Sequence, residues 1–220
     1  MNIQEMHRLF RTLGQQMGIQ QIRGILPESI DDYLNVAINE KCRSVLQQNA
    51  STQFRENLSS KNNPVSPVNS LSTLYHSDKK GLTYIISGDD GCKQVSLDYE
   101  DVFEYISFFA EFVKDGFTWH RPCRIIEFDK LPYVLSDYCN KPDNDYPIIC
   151  LVNEQEFVGK VYMENYDNFK ALVYNYIAKP AKVDSVNNVD CNLPEYLHVE
   201  IVELAVQKFF QSIGSTAKQV

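Results

Sequence analysis

Two Leu-Pro-Glu triplets, Leu26-Pro27-Glu28 and Leu193-Pro194-Glu195, each stand directly before a run of apolar residues at helical spacing. Proline suits the first helical position, because the amide hydrogen it lacks would have no intrahelical partner there. The glutamate beside it favours the positive end of the helix dipole. The first triplet predicts a helix over 27–48, with Asp31 and Asp32 adding charge at its start and Ser29 placed for a local cap. Its stripe of Ile30, Tyr33, Leu34, Ala37, Ile38, Cys42, Val45 and Leu46 is that of a face turned to a core. The second triplet predicts a helix from about 194 to 213, closed by Gly214. Leu197, Ile201, Val202, Leu204, Ala205, Val206, Phe209, Phe210 and Ile213 cover more than one of its faces. Such a helix is buried on several sides or packs on another chain. Ile3, Met6, Phe10, Leu13 and Met17 predict a further helix over 1–17, weakened at its end by Gly14 and Gly18.

Between these helices the pattern changes twice. Residues 49–77 hold 14 Ser, Thr or Asn among 29, with Pro64 and Pro67 and few large apolar groups. They are expected to form a long polar loop or arm, either a surface insertion or a segment that orders on a neighbouring subunit. From there the chain reads as β. Residues 82–86 and 92–97 flank Gly88-Asp89-Asp90-Gly91 and predict a hairpin. Residues 101–114 (DVFEYISFFAEFVK) fit a wide apolar helix at one period. At the other they fit a strand with Val102, Ile106, Phe108 and Phe112 on one face, which the aromatic and β-branched content favours. Strands are expected at 124–128, 148–152, 156–162 and 171–178, with a short helix or turn at 131–137 and a proline-bounded loop at 142–147. The class this implies is α+β, terminal helices forming a helical bundle with an inserted antiparallel β region. Its parts are an N-terminal helical part (1–48), a polar arm (49–80), a β-rich insertion (81–180) and a C-terminal helix completing the bundle (181–220).

Charge narrows the possible functions. Twenty-one Lys and Arg against 29 Asp and Glu give a net charge of −8 over 220 residues, with residues 1–60 neutral and the excess acid beyond them. Gripping phosphates needs a basic patch, and none is visible, so affinity-driven nucleic-acid binding is not expected. The 25 Tyr and Phe are interleaved mainly with acids rather than Lys and Arg. That favours core and subunit interface over base stacking. No apolar run is long enough to span a bilayer, and residues 1–5 lack the basic and apolar regions of a secretory signal, so a soluble cytoplasmic setting is expected. There Cys42, Cys92, Cys123, Cys139, Cys150 and Cys191, with no C-x-x-C or C-x-x-H among them, are expected as free thiols acting as small apolar groups.

Catalytic signatures are absent: there is no phosphate loop, G-x-G-x-x-G, H-E-x-x-H or G-x-S-x-G. The four histidines are scattered. His7 is expected on a helix surface, His76 beside the polar segment, His120 in a turn with Trp119 and Arg121, and His198 in the first turn of the last helix. Only a spatial pairing of His120 with Cys123 and nearby carboxylates offers a nucleophile. Asp89-Asp90 and Asp143/Asp145 have the residue types for a metal, yet turn chemistry accounts for them. Glu127 and Asp129 stand at strand spacing and need burial to act as acid or base. No catalytic, cofactor-binding or metal-ligating residue is assigned, and no cofactor.

Three blocks carry a resemblance. They are Arg124-Ile125-Ile126-Glu127-Phe128-Asp129-Lys130-Leu131, leading through Lys141-Pro142 to Pro147; Tyr176-Ile177-Ala178-Lys179-Pro180; and Asp190-Cys191-Asn192-Leu193-Pro194-Glu195-Tyr196-Leu197-His198, followed by Glu200-Ile201-Val202-Glu203-Leu204-Ala205-Val206. From Asp98 to Ser212 the chain resembles the small connector (adaptor or ring) proteins of crAss-like tailed bacteriophages, with weaker support from Leu34-Asn35-Val36-Ala37. The resemblance implies a non-enzymatic virion protein, assembled in the host cytoplasm as a homo-oligomeric ring of about 12 copies. Its implied partners are the portal protein, neighbouring tail rings and genomic DNA that passes through the lumen without specific binding; a membrane is not among them. The alternatives are a cytoplasmic hydrolase or modifying enzyme with a Cys/His site, and a monomeric interaction domain.

Overall fold

A computed structural model describes residues 1–18, 24–56, 67–81, 85–87, 91–97, 100–153 and 157–216. The chain divides into two compact units, Met1–Leu74 with Pro180–Val220, and Tyr75–Lys179.

The first unit is built on three helices, α1 (Ile3–Gln16), α2 (Pro27–Glu56) and, late in the chain, α4 (His198–Thr216). Helix α1 begins with a capping box: Asn2 Oδ1 accepts the Glu5 amide at 2.8 Å, and the Glu5 carboxylate accepts the Asn2 amide at 2.9 Å. Two of the amides that a helix start leaves without partners are satisfied this way. The expected α2 stripe is buried throughout except for half-buried Tyr33. It meets Met6 and Phe10 of α1 and Ile201, Val202, Ala205, Val206 and Phe209 of α4 in the interior, where the Phe209 ring lies 5.9 Å from Phe10 and 5.3 Å from Tyr33. Of the predicted α1 stripe, Leu13 is only half-buried and Met17 is exposed. In α4, Leu204 is half-buried and Phe210 exposed, so the helix turns one broad face inward rather than all of them.

The expected polar arm is in large part ordered structure. Helix α2 runs on to Glu56, because neither proline nor glycine interrupts the chain between Glu28 and Asn63. A 3₁₀ segment, Pro67–Leu74, packs on α2 and buries Leu71 and Leu74 completely. Residues 75–77 already belong to the first strand. Residues 57–66 of that expected arm, and with them Leu58 and Val65, lie outside the described residues.

The second unit holds nine strands in two sheets among the described residues: β1 (Tyr75–Gly81), β2 (Ile85–Ser87), β3 (Lys93–Ser96), β4 (Val102–Lys114), β5 (Phe117–Pro122), β6 (Arg124–Ile126), β7 (Ile148–Asn153), β8 (Phe157–Tyr162) and β9 (Phe169–Ala178). One sheet has the order β1-β9-β4-β5, the other β2-β3-β8-β7-β6. Val95, Leu97, Ile149 and Val161 from the second sheet share a core with Phe108, Ala110, Phe112, Leu172 and Tyr174 from the first. On the other face of the second sheet, Ile148, Cys150 and Tyr162 pack against Leu131 and Val134 of α3 (Leu131–Ser136). Strand β7 is thus covered on both faces, which explains its unbroken apolar run Ile148-Ile149-Cys150-Leu151-Val152.

This corrects the expected class. The chain is mixed α/β, and its β part is not an insertion into a terminal helical bundle. Strands begin at Tyr75 and end at Ala178, forming a unit with its own core. Nor is the region wholly antiparallel. Strands β6 and β7 pair in parallel, so residues 127–147, including α3, form a crossover.

Residues 101–114 form the long strand β4, pairing with β9 on one side and β5 on the other. Register shifts between Val102 and Glu104 and between Tyr105 and Ser107 put extra residues into β4, while the shift at Glu111 and Phe112 puts the extra residue, Lys170, into β9. Each extra residue in β4 resets its alternation of faces, which is why neither period fitted its sequence cleanly.

Candidate functional site

The His120–Cys123 pairing is the arrangement to test first. His120 lies in β5 directly opposite Glu111 of β4, and its Nε2 is 3.3 Å from the Glu111 carboxylate. Cys123, three residues on, is on the opposite side of the strand, where with Trp119 it packs against the apolar core. Burial pushes the Cys123 thiol up to about 12. The two side chains are therefore not brought together, and the thiol is the reverse of an activated nucleophile.

What does assemble around Glu111 is a charge cluster. Its side chain is almost wholly buried, and the Lys79 ammonium of β1 donates to both its oxygens, at 2.5 and 2.6 Å. Burial alone would raise the carboxyl pKa. The Lys79 hydrogen bonds and charge, with His120, outweigh it and hold the group below its usual range. The cluster links β1, β4 and β5 across one sheet, and it holds no nucleophile.

The remaining candidates disperse. Asp143 Oδ1 accepts the amides of Asp145 and Tyr146, while Asp145 pairs with Arg121 at 2.9 Å, so both serve the loop. Glu127 and Asp129 are exposed, and Glu127 pairs with Lys130. Asp89 and Asp90 lie outside the described residues. Among the described residues no three His, Cys, Asp or Glu converge as metal ligands. All six cysteines are free thiols; Cys42, Cys92, Cys150 and Cys191 are buried, and Cys139 is exposed. Burial raises Cys42 to about 11 and lifts Cys150 and Cys191 as well.

The third block of the resemblance holds backbone together. Asp190 accepts the Ile3 amide at 2.7 Å, Asn192 accepts the Ala181 amide at 3.2 Å, and the buried His198 Nε2 donates to the Leu193 carbonyl at 2.9 Å. Asn35 of α2 clamps Val183 in both directions, accepting from its amide at 2.8 Å and donating to its carbonyl at 3.1 Å. Sequence reasoning missed the companion of this loop. His7, expected on a surface, is buried with its Nε2 2.7 Å from Asp31, whose other oxygen accepts the Ser185 amide and hydroxyl. His7 lies beside the apolar stripe of Ile3, Met6, Phe10, Leu13 and Met17, and its partner Asp31 comes from the next helix, so nothing local in the sequence marks its burial. Ser185 is turned to Asp31 rather than to the imidazole, so this is a tether, not a triad.

Polar groups are thus spent inside while large apolar groups remain outside. On the β6–β7 crossover, Tyr138 is 87% exposed, Tyr133 77%, Tyr146 61% and Phe128 60%. They stand on ordered ground. Leu131 and Val134 anchor α3 to the sheet, Asp137 caps the turn that follows by accepting from the Cys139 amide and the Asn140 side chain, and Arg124 donates to the Asn140 carbonyl at 2.7 Å. A rigid platform of exposed aromatics loses little conformational freedom on binding.

No family model matches the chain, and no curated protein matches it. No helix among the described residues is long and apolar enough to cross a membrane.

Proposed function

We propose that the chain is a ring-forming head-to-tail connector subunit of a tailed phage, a virion protein that acts by assembly rather than by catalysis. The observation that carries this reading is the β6–β7 crossover, which exposes Phe128, Tyr133, Tyr138 and Tyr146 on a braced platform. Aromatic residues of this kind supply most of the energy at protein interfaces. The resemblance of residues 98–212 to connector proteins supplies the type of assembly, a closed ring of about a dozen copies joined head to tail. Its partners are then the portal and the neighbouring rings, with DNA passing through. A net charge of −8 suits a conduit that DNA must not adhere to.

A hydrolase built on His120 and Cys123 is disfavoured by their placement on opposite sides of β5 and by the raised thiol pKa. Electron microscopy of the purified protein tests the proposal. Closed rings with a single rotational symmetry and an open centre are expected. Discrete monomers at every concentration imaged would contradict it.

A further inference from the structure

The helical unit carries a surface that complements the crossover. A cleft of about 640 Å³ runs along α1, with Gln4, Arg8, Arg11, Thr12 and Gln15 on one side and Ser185 and Val186 on the other. Among the described residues no carboxylate lines it, although the protein as a whole is acidic. Neither arginine is engaged in an ion pair among the described residues, and the buried Arg11 Nε has no hydrogen-bond partner. The rim is apolar. Val186 is largely exposed, as is Leu26 beside Pro27 of the cleft wall.

The crossover has the opposite character. Over residues 127–146 it carries Glu127, Asp129, Asp137, Asp143 and Asp145 against Lys130 and Lys141, together with the four exposed aromatics. Tyrosine faces and carboxylates are the two kinds of group that an unpaired guanidinium accepts best, the first by cation–π contact and the second by paired hydrogen bonds. The apolar rim matches the aromatic rings. A ring closed by rotation requires two different surfaces on each subunit, one for each neighbour. The cleft and the crossover are two such surfaces, unlike in charge.

We infer that the α1 cleft of one copy receives the acidic, aromatic β6–β7 crossover of the next, with Arg8 and Arg11 facing its carboxylates and tyrosines. The inference rests on the ring reading and assigns the contact that builds the ring. With arginines on one surface and carboxylates on the other, assembly is expected to be governed by charge and to weaken as salt rises.

Charge reversal tests it by rescue. One variant carries Arg8→Glu with Arg11→Glu, the other Glu127→Lys with Asp129→Lys. All four positions are exposed or half-buried, and among the described residues the internal partnerships lost are the surface pair of Glu127 with Lys130 and the attraction of Asp129 for the same lysine. Sedimentation of each variant alone is expected to show assembly weakened by about ten-fold or more. Mixing the two, or joining all four changes in one chain, is expected to restore it, because each reversed cleft then meets a reversed crossover. Tyr138→Ala, at an exposed position where Lys141 lies over the ring at 5.5 Å, is expected to weaken assembly with little change in thermal midpoint. If the wild type forms rings and none of these variants alters them, the cleft–crossover contact is wrong while the ring reading survives. If the wild type stays monomeric, both fail.

Discussion

Glu111 shows how one buried charge can be kept in a sheet. Its carboxylate is shielded from water, yet Lys79 and His120 hold its pKa below the ordinary value of 4.5. A group with a depressed folded pKa contributes stability that is complete above its unfolded pKa and is lost as pH falls through the folded one. Lys79→Met removes the main partner and leaves burial dominant. The variant is expected to lose about 1–3 kcal/mol at pH 7, with the deficit shrinking as pH falls through the carboxylate range and gone only below the depressed pKa of Glu111 in the wild type. Urea unfolding at pH 7 and pH 4 measures this; a deficit equal at the two values would show that Glu111 does not depend on Lys79. Thiol chemistry offers a second check at this scale. With burial pushing its pKa up to about 12, the Cys123 thiol stays protonated at neutral pH. Iodoacetamide followed by peptide mass mapping should therefore label exposed Cys139 well before Cys123. Equal labelling rates would mean that Cys123 is not seated in the core as described.

Among the elements, the helices and the strands at 124–126, 148–153, 157–162 and 169–178 were legible in the sequence, whereas the pairing between strands and the bulged β4 were not. The α2 stripe from Ile30 to Leu46 needs only a 3.6-residue period, and seven of its eight positions are buried, with Tyr33 half-buried. β4 could not be read that way, because its register shifts break the period of two. A local signal was nevertheless present. Asp115 and Gly116 both have positive φ, 51° and 84°, in the two-residue turn between β4 and β5. Asp-Gly between apolar runs is among the strongest marks of a hairpin. Replacing Gly116 with valine should destabilise by about 1–2 kcal/mol, since a β-branched side chain strains that conformation; an unchanged urea midpoint would contradict this assignment. The segment 67–77 reads as polar by composition, yet Leu71 and Leu74 fasten it to the helical unit. Two buried leucines outweigh many serines, and composition averages them away. In α4, Val206→Asp introduces a charge at a fully buried position and should cost at least about 3 kcal/mol. Leu204→Asp, at a half-buried position beside Glu200 and Glu203, should cost much less. A similar loss for both would mean that α4 is buried on more sides than the structure places it.

For the molecule as a whole, function reduces to which surfaces are left for other chains. Candidate chemistry at His120 and Cys123 could be named from sequence but not excluded, because strand alternation decides it and the strand itself was ambiguous. The crossover was also hidden. Tyr133, Tyr138 and Tyr146 looked like any other aromatics until the parallel pairing of β6 with β7 placed them on a connection outside the sheet. The cleft could not be anticipated from Arg8 and Arg11 alone, since its far wall comes from residues 185 and 186. The claim that rests on these surfaces is closed, stoichiometric assembly. Native mass measurement of the purified protein over a range of concentrations tests it most directly. The account predicts one narrow high-mass species at a whole-number multiple of the 25.4 kDa chain, with few species between it and the monomer. A mass that remains at 25.4 kDa, or a ladder that lengthens with concentration without closing, would contradict it.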